Sequence, residues 1–163
     1  MIAADYQRMT MDKEIQVRKA TAEDIPALIG LMREFYAEAN FKLDDQWATE
    51  AFMSLLSNDS YGCAWIVSTA DIAMGHAVLT VRFTMEHGGM SGYVDDLFVR
   101  KEFRKHGAGF SLLQELEREC SIRNCKSLIV EVGKDNDAGL RTYQKLGMHQ
   151  IDDGRILYRK PLP

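Results

Sequence analysis

The chain has 163 residues, 46% of them hydrophobic, and a net charge of −4. That length and apolar content suit one domain around a single core, and the acidic balance argues against a general nucleic-acid binder, which would carry a basic surplus. No apolar run approaches the ~20 residues needed to cross a bilayer, so no membrane partner is expected.

Three cysteines, Cys63, Cys120 and Cys125, cannot all pair within one chain. They form no metal-spaced array with histidine, so no metal is expected, and a reducing, cytoplasmic setting fits them. Residues 1–13 lack a secretory apolar stretch and read as a flexible leader, with residues 14–163 as one domain.

In chain order, "EIQVRKA" alternates Ile15 and Val17 with polar neighbours and reads as a short strand. "TAEDIPALIGLMREFYAEA" opens a helix, with Thr21 as N-cap, acidic Glu23 and Asp24 in the first turn, and Pro26 early enough to be tolerated. A second helix, 45–57, presents Trp47, Ala51, Phe52 and Leu55 at helical spacing. The aromatic positions Phe35, Tyr36 and Trp47 are expected to be mostly core.

The period then changes. "YGCAWIVST", "IAMGHAVLTVRFTM" and "SGYVDDLFVR" read as three successive strands, separated by an "AD" turn and an "EHGGM" loop. His76 falls within a strand and reads as structural, and His87 falls in the loop.

"AGFSLLQELERECSIRN" is a helix with Leu112, Leu113, Leu116 and Cys120 on one face, and "SLIVEV" is a strand expected to be buried on both sides. "DAGLRTYQKLG" is a further helix ended by Gly147. "MHQID" and "RILYRKP" are expected as two short strands around a "DG" turn, and the C-terminal edge is open to pairing in a homodimer.

The order is βααβββαβαββ, an α+β fold with a mixed, mostly antiparallel central sheet flanked by helices. One strand–helix–strand crossover makes one strand pair parallel. That crossover carries "FRKHGAGF". A strand-to-helix turn presents free amides at the positive end of a helix, and Gly107 and Gly109 remove side chains that would keep an anion away. Phosphate or pyrophosphate is the implied ligand, although a Gly-x-Gly before a helix can also be just a tight turn. The phosphate-loop and dinucleotide signatures are both absent.

"DDLFVRKEFRKHGAGFSLLQELE" resembles the acetyl-CoA motif of the GNAT N-acetyltransferases, in which a strand ending in Leu-x-Val precedes Q/R-x-x-G-x-G/A. Arg104, Gly107 and Gly109 fill its named positions. "NDAGLRTYQKLGM" resembles the family's second signature through Asn136, Tyr143, Gly147 and Met148. Lys105 stands where many members have glycine, Gly139 where alanine is common, and Met148 in the usual phenylalanine place.

The resemblance implies acetyl-CoA as co-substrate and the acyl-CoA N-acyltransferase fold, with its splayed parallel strand pair. The cofactor would lie on the backbone of Leu97, Phe98 and Val99 and on the loop Arg104, Lys105, His106, Gly107, Ala108 and Gly109, with Asn136 and Tyr143 contributing. Tyr143 matches the family's proton donor to the leaving sulfur.

Asp95 and Asp96 interrupt an apolar strand, where carboxylates are costly unless used or paired. Alternation places them on opposite faces. "YVDDLFV" is similar to the "Y-L-E-D" strand of diamine acetyltransferases, which puts Asp95 forward as the base, direct or through water, or as an ammonium anchor. Asp96, Glu131 and Tyr36 are further candidates to meet the acceptor.

A small polyamine-like or amino-acid-like amine is preferred to a peptide or protein amine. A non-catalytic acyl-CoA-binding regulatory module and a nucleotide-binding module are the alternatives.

Overall fold

The computed structural model describes residues 15–70, 72–151, 154 and 158–162. They fall into two compact units divided between Glu131 and Val132.

The first unit is built on a five-stranded sheet in the order β1-β2-β3-β4-β5. β1 (Ile15–Lys19), β2 (Gly62–Thr69), β3 (Ile72–Thr84) and β4 (Gly89–Val99) pair antiparallel in sequence, and β5 (Ser127–Val130) runs parallel to β4. The crossover between β4 and β5 is α3 (Ala108–Ile122).

α1 (Ile25–Glu38) and α2 (Asp45–Ser57) cover one sheet face. There Leu28, Ile29, Met32, Ala48 and Phe52 pack with Ala64 and Val78, and Leu31 packs with Ile66 and Phe98. Leu79, the neighbour of Val78, points to the opposite face. A Cβ added to Gly92 on that side would collide with Cys120 Sγ of α3, so glycine is what lets this helix lie close to the sheet.

α1 starts later than the Thr21 signal suggests. Ala22–Asp24 form a 3-10 turn first, in which the Asp24 carboxylate accepts the Thr21 amide at 2.8 Å and both arms of the Arg18 guanidinium at 2.7 Å. The Arg18 hydrogen bonds, helped by Thr21, hold the Asp24 pKa at about 2. A depressed carboxylate stabilises the fold above its unfolded value of ~3.9, and that contribution is lost as pH falls through about 2.

Asp24→Asn is therefore expected to cost about 1–2 kcal/mol at pH 6, a figure discounted for the exposed arginine. The gap between variant and wild type in thermal melts should shrink between pH 4 and pH 2. A gap that stays constant over that range would rule the ion pair out as its source.

α2 has the expected bounds, and Asp44 Oδ1 caps the Trp47 amide at 3.0 Å. Trp47 itself is not core, being 53% exposed. Ala48 and Phe52, four residues apart, define the buried face, and Trp47 is turned about 100° away from Ala48.

β5 also departs from expectation, since it is half-buried along its length rather than enclosed. It is the last strand of the sheet among the described residues and pairs on the β4 side only.

The second unit contains α4 (Asp137–Lys145). Asn136 Oδ1 caps the Gly139 amide at 2.9 Å, and the chain leaves the helix through Gly147 at φ +88. Met148 donates its amide to Tyr143 O at 3.1 Å, which closes the helix rather than opening a strand. Residues 148–151 are accordingly not a strand. Of the strand expected over 155–161, residues 155–157 lie outside the described residues and residues 158–161 are not a strand. No helix among the described residues is long and apolar enough to cross a membrane.

Candidate functional site

β4 changes partners along its length. Ser91 to Val94 pair with Ser127 to Val130 of β5, and the ladder stops there. On its other side β4 stays paired to β3 as far as Val99. The Arg100 amide bonds Met74 O of β3 at 2.9 Å. Bonding directions alternate along an antiparallel strand, so Phe98 also bonds toward β3, while the backbone groups of Leu97 and Val99 point to the unpaired edge.

The β3–β4 register slips between Val78 and Leu79, which pair with Asp96 and Val94. Asp95 is the extra residue of a β-bulge. A bulge breaks side-chain alternation, so the period-two argument that set the two aspartates on opposite faces does not decide the face of Asp95. Asp96 is buried on the α1 side as the partner of Val78, and Asp95 is exposed beside it. The charges of both act on the Tyr36 hydroxyl of α1, whose pKa is raised by burial first and then by Asp96 and Asp95. Although its surface is exposed, partial desolvation of its carboxyl by neighbouring protein, followed by the Asp96 charge, raises the Asp95 pKa above its ordinary value.

Tyr93, two residues before the bulge, joins this group. Burial, and then hydrogen bonding and charge from Glu131, push its hydroxyl up to about 12, with Asp95 adding to the effect. Sequence reading passed over Tyr93, although it begins the "YVDD" stretch that singled out the aspartates. Tyr36, Tyr93, Asp95, Asp96 and Glu131 are thus linked by these interactions, and the group is acidic and phenolic apart from the Arg82 guanidinium, which lies 5.7 Å from the Tyr93 ring centroid. Such an array suits a cation.

Beyond Val99 the chain turns through Lys101–Phe103 and the glycine loop. Of the clustered basic residues Arg100, Lys101, Arg104, Lys105 and His106, the two arginines are paired within the protein. Arg100 bonds both oxygens of Glu34, the shortest contact being 2.7 Å, and the carbonyl of Ala73 at 2.8 Å. Arg104 Nε donates to the Val99 carbonyl at 2.7 Å, and its Nη2 bonds both oxygens of Glu38 at 2.7 and 2.8 Å. The guanidinium also lies over the Phe98 ring, 5.6 Å from its centroid. Glu34 and Glu38 occupy successive turns of α1, so the pair clamps the loop to that helix. The Arg104 side chain is therefore committed within the protein, and its amide donates to the Lys101 carbonyl at 3.3 Å.

Lys105 has φ +68 and Gly107 φ +88. The left-handed region costs a side-chain-bearing residue ~1–2 kcal/mol, a physical reason for glycine to be favoured at position 105. α3 makes its first helical bond from Ser111 N to Gly107 O at 2.9 Å, so the amides of Gly107, Ala108 and Gly109 have no carbonyl one turn back. A Cβ on Gly107 would meet nothing within 4 Å. The loop is an open cradle of amides at a helix N-terminus, which fits the diphosphate of a CoA-type cofactor.

In the second unit Tyr143 is 9% exposed. Burial raises its pKa, and among the described residues its hydroxyl makes no hydrogen bond. Asn136 has its side-chain carbonyl committed to the α4 cap. A Cβ on Gly139 would press on that side chain at 2.8–3.1 Å, which accounts for glycine in place of alanine. A cavity of about 510 Å³ lined by Arg33, Phe41, Leu43 and Asp45 contains none of these residues. Among the described residues no His, Cys, Asp and Glu side chains gather in a group that could hold a metal.

Known proteins match this arrangement. Residues 27–148 fit the model of the acetyltransferase (GNAT) family. An integron cassette protein from the mobile metagenome of Cole Harbour Salt Marsh is 36% identical over 91% of each chain, with a TM-score of 0.81. The aminoglycoside N-acetyltransferase AAC(6')-Iy, solved with CoA, is 18% identical over 92% of this chain and 97% of its own, at a TM-score of 0.80. A predicted acetyltransferase of Clostridium acetobutylicum, solved with acetyl-CoA, is 21% identical over 89% and 96%, at 0.75. The last two share the fold. With a strand edge left unpaired beside a glycine cradle, and the family model spanning both of its signatures, the chain belongs to the GNAT family of acetyl-CoA-dependent N-acetyltransferases.

Proposed function

We propose that the chain transfers the acetyl group of acetyl-CoA to a primary amine of a small, multiply charged cation. The observation that carries this reading is the bulge at Asp95, just past the point where β5 stops pairing with β4, where the charges of Asp95 and Asp96 both act on Tyr36. Acetyl-CoA supplies a thioester whose carbonyl is attacked by the amine. The open edge at Leu97 and the Val99 amide would hold the pantetheine chain, and the amides from Lys105 to Gly109 the diphosphate, with the Lys105 side chain adding positive charge.

A protonated amine must lose a proton before attack. Asp95, exposed and with a raised pKa, is the proposed base, because a weaker acid is a better proton acceptor. Asp96, Glu131, Tyr36 and Tyr93 would hold the remaining positive charge. Tyr143 has the opposite task of protonating the departing thiolate. A phenol with a raised pKa keeps its proton at neutral pH, and no hydrogen bond within the described residues competes for it.

Proteins of this fold have been solved with polycationic ligands. AAC(6')-Iy was solved with a CoA-linked acetylneamine analogue and meta-AAC0020 with sisomicin. Both support a polyamine-like or aminoglycoside-like acceptor over a neutral peptide.

The test is CoA-thiol release from acetyl-CoA against polyamines, amino acids, aminoglycosides and short peptides, with an amine-free control. Release with a polycation supports the proposal, release with peptides alone contradicts the acceptor class, and tight binding without release favours a regulatory module. On the best acceptor, Asp95→Asn is expected to lower kcat/KM about 10²-fold. It should also remove the limb of the pH profile that rises through a carboxylate titration above the ordinary value. An unchanged profile would take Asp95 out of the base role.

A further inference from the structure

His76, in the middle of β3, has no exposed surface, and neither of its ring nitrogens has a hydrogen-bond partner among the described residues. A neutral imidazole always carries one N–H, and burying it without an acceptor forfeits the bond it makes in water. The carboxylate beside it is Asp96, whose Oδ2 lies 3.7 Å from His76 Nε2, a few tenths of an ångström beyond hydrogen-bond distance.

The two are diagonal neighbours on one sheet face, since His76 pairs with Phe98 and Asp96 with Val78. Asp96 is itself buried, and among the described residues no hydrogen bond reaches its oxygens. The surroundings are otherwise apolar. The Phe98 ring lies 6.2 Å from the imidazole, with Phe35, Leu31 and Ile66 behind it. The remaining polar groups at this place are Asp95, Tyr36 and the Arg104 guanidinium over Phe98.

We propose that His76 is a positioning residue of the acceptor site. Its Nε2–H donates to Asp96 Oδ2 and holds that carboxylate turned toward the acceptor's ammonium, leaving Asp95 to take the proton. This role rests on the reading of the chain as an amine acetyltransferase.

The structural logic is a division of labour between adjacent carboxylates. Without a donor behind it, Asp96 is free to rotate and compete with Asp95 for the same cation. With one oxygen tied to the interior, it presents the other in a single direction. An imidazole filling space alone would have no need of a carboxylate diagonally opposite, on a face otherwise occupied by Val78, Ile66 and Phe98.

Two measurements test the proposal together. Long-range nitrogen–proton NMR of the labelled full chain reads the His76 tautomer with no acceptor present. A single Nε2–H form, whose signal moves on Asp96→Ala, is expected. An Nδ1–H form, or averaging between tautomers, overturns the proposal. Steady-state kinetics then compare His76→Phe, which keeps an apolar ring, with His76→Gln, which keeps a donor near the Nε2 position.

The phenylalanine variant should raise the KM for the amine about tenfold, with the KM for acetyl-CoA unchanged, and glutamine should recover most of that loss. Equal changes in both KM values, or glutamine failing where phenylalanine succeeds, would assign His76 to packing alone. If the histidine–aspartate bond is present but wild type acetylates no amine, the transferase reading fails and the positioning role goes with it. An active wild type whose amine KM ignores both substitutions removes the positioning role and leaves the transferase standing.

Discussion

Replacing Gly107 with tryptophan is expected to weaken acetyl-CoA binding by about 10²–10⁴-fold while leaving a folded protein. Gly107 sits at φ +88 as the residue before α3, and nothing lies within 4 Å of the place where its side chain would begin. The variant therefore meets no wall of the protein. It carries backbone strain of ~1–2 kcal/mol and fills the space in front of the amides of Ala108 and Gly109.

A diphosphate denied two charge-assisted bonds loses about 1.5–3 kcal/mol for each, which gives the expected factor. Gly107→Ala is the control, because it carries the same strain without the bulk and should lose about tenfold or less. Calorimetric titration with acetyl-CoA distinguishes the two. Equal affinities would mean that the turn exists for its shape and cradles nothing.

Tyr143→Phe is expected to lower kcat about 10²-fold on the best amine, with acetyl-CoA affinity near wild type. General acid catalysis is worth roughly 10²–10⁴-fold. A thiolate leaves without help more readily than most groups, its thiol pKa being ~8.5, so the lower figure applies. The ring is buried and its hydroxyl bonds nothing within the described residues, so removing that oxygen should not lower the melting temperature. The α4 contacts of residue 143 run through its backbone carbonyl, which accepts from Leu146 and Met148 and is kept in the variant. Turnover at the wild-type rate would take Tyr143 out of the mechanism. A loss of affinity equal to the loss of rate would make it a cofactor contact instead.

Both predictions start from motifs visible in the chain itself. The glycine loop and the Asn–Tyr–Gly stretch are short and contiguous, and the strand-to-helix junction that gives the first its purpose follows from a change of period at one point. The aspartates were legible as an anomaly but not as an arrangement. Which face each occupies depends on the register of β4 against β3, and the slip at Val78 and Leu79 leaves no mark in a period-two pattern. Arg104 misled in a related way. Its place in the motif suggested a cationic contact, yet its guanidinium is spent on Glu38, 66 residues earlier.

The sequence by itself determined the helices, the first five strands, their order and the family, because capping, periodicity and turn chemistry act within a few residues. The bounds 45–57 for α2 and the buried Leu112, Leu113 and Leu116 of α3 show how far such local rules reach. Tertiary structure alone decided which side chains meet. Trp47 faces outward, β5 is left half-buried, two arginines are neutralised by α1, and His76 lies against Asp96. Each of these is a pairing across 20 or more residues or a choice of face, set by which surfaces the packed sheet and helices bury together. Local spacing carries no record of such contacts until the chain has closed on itself.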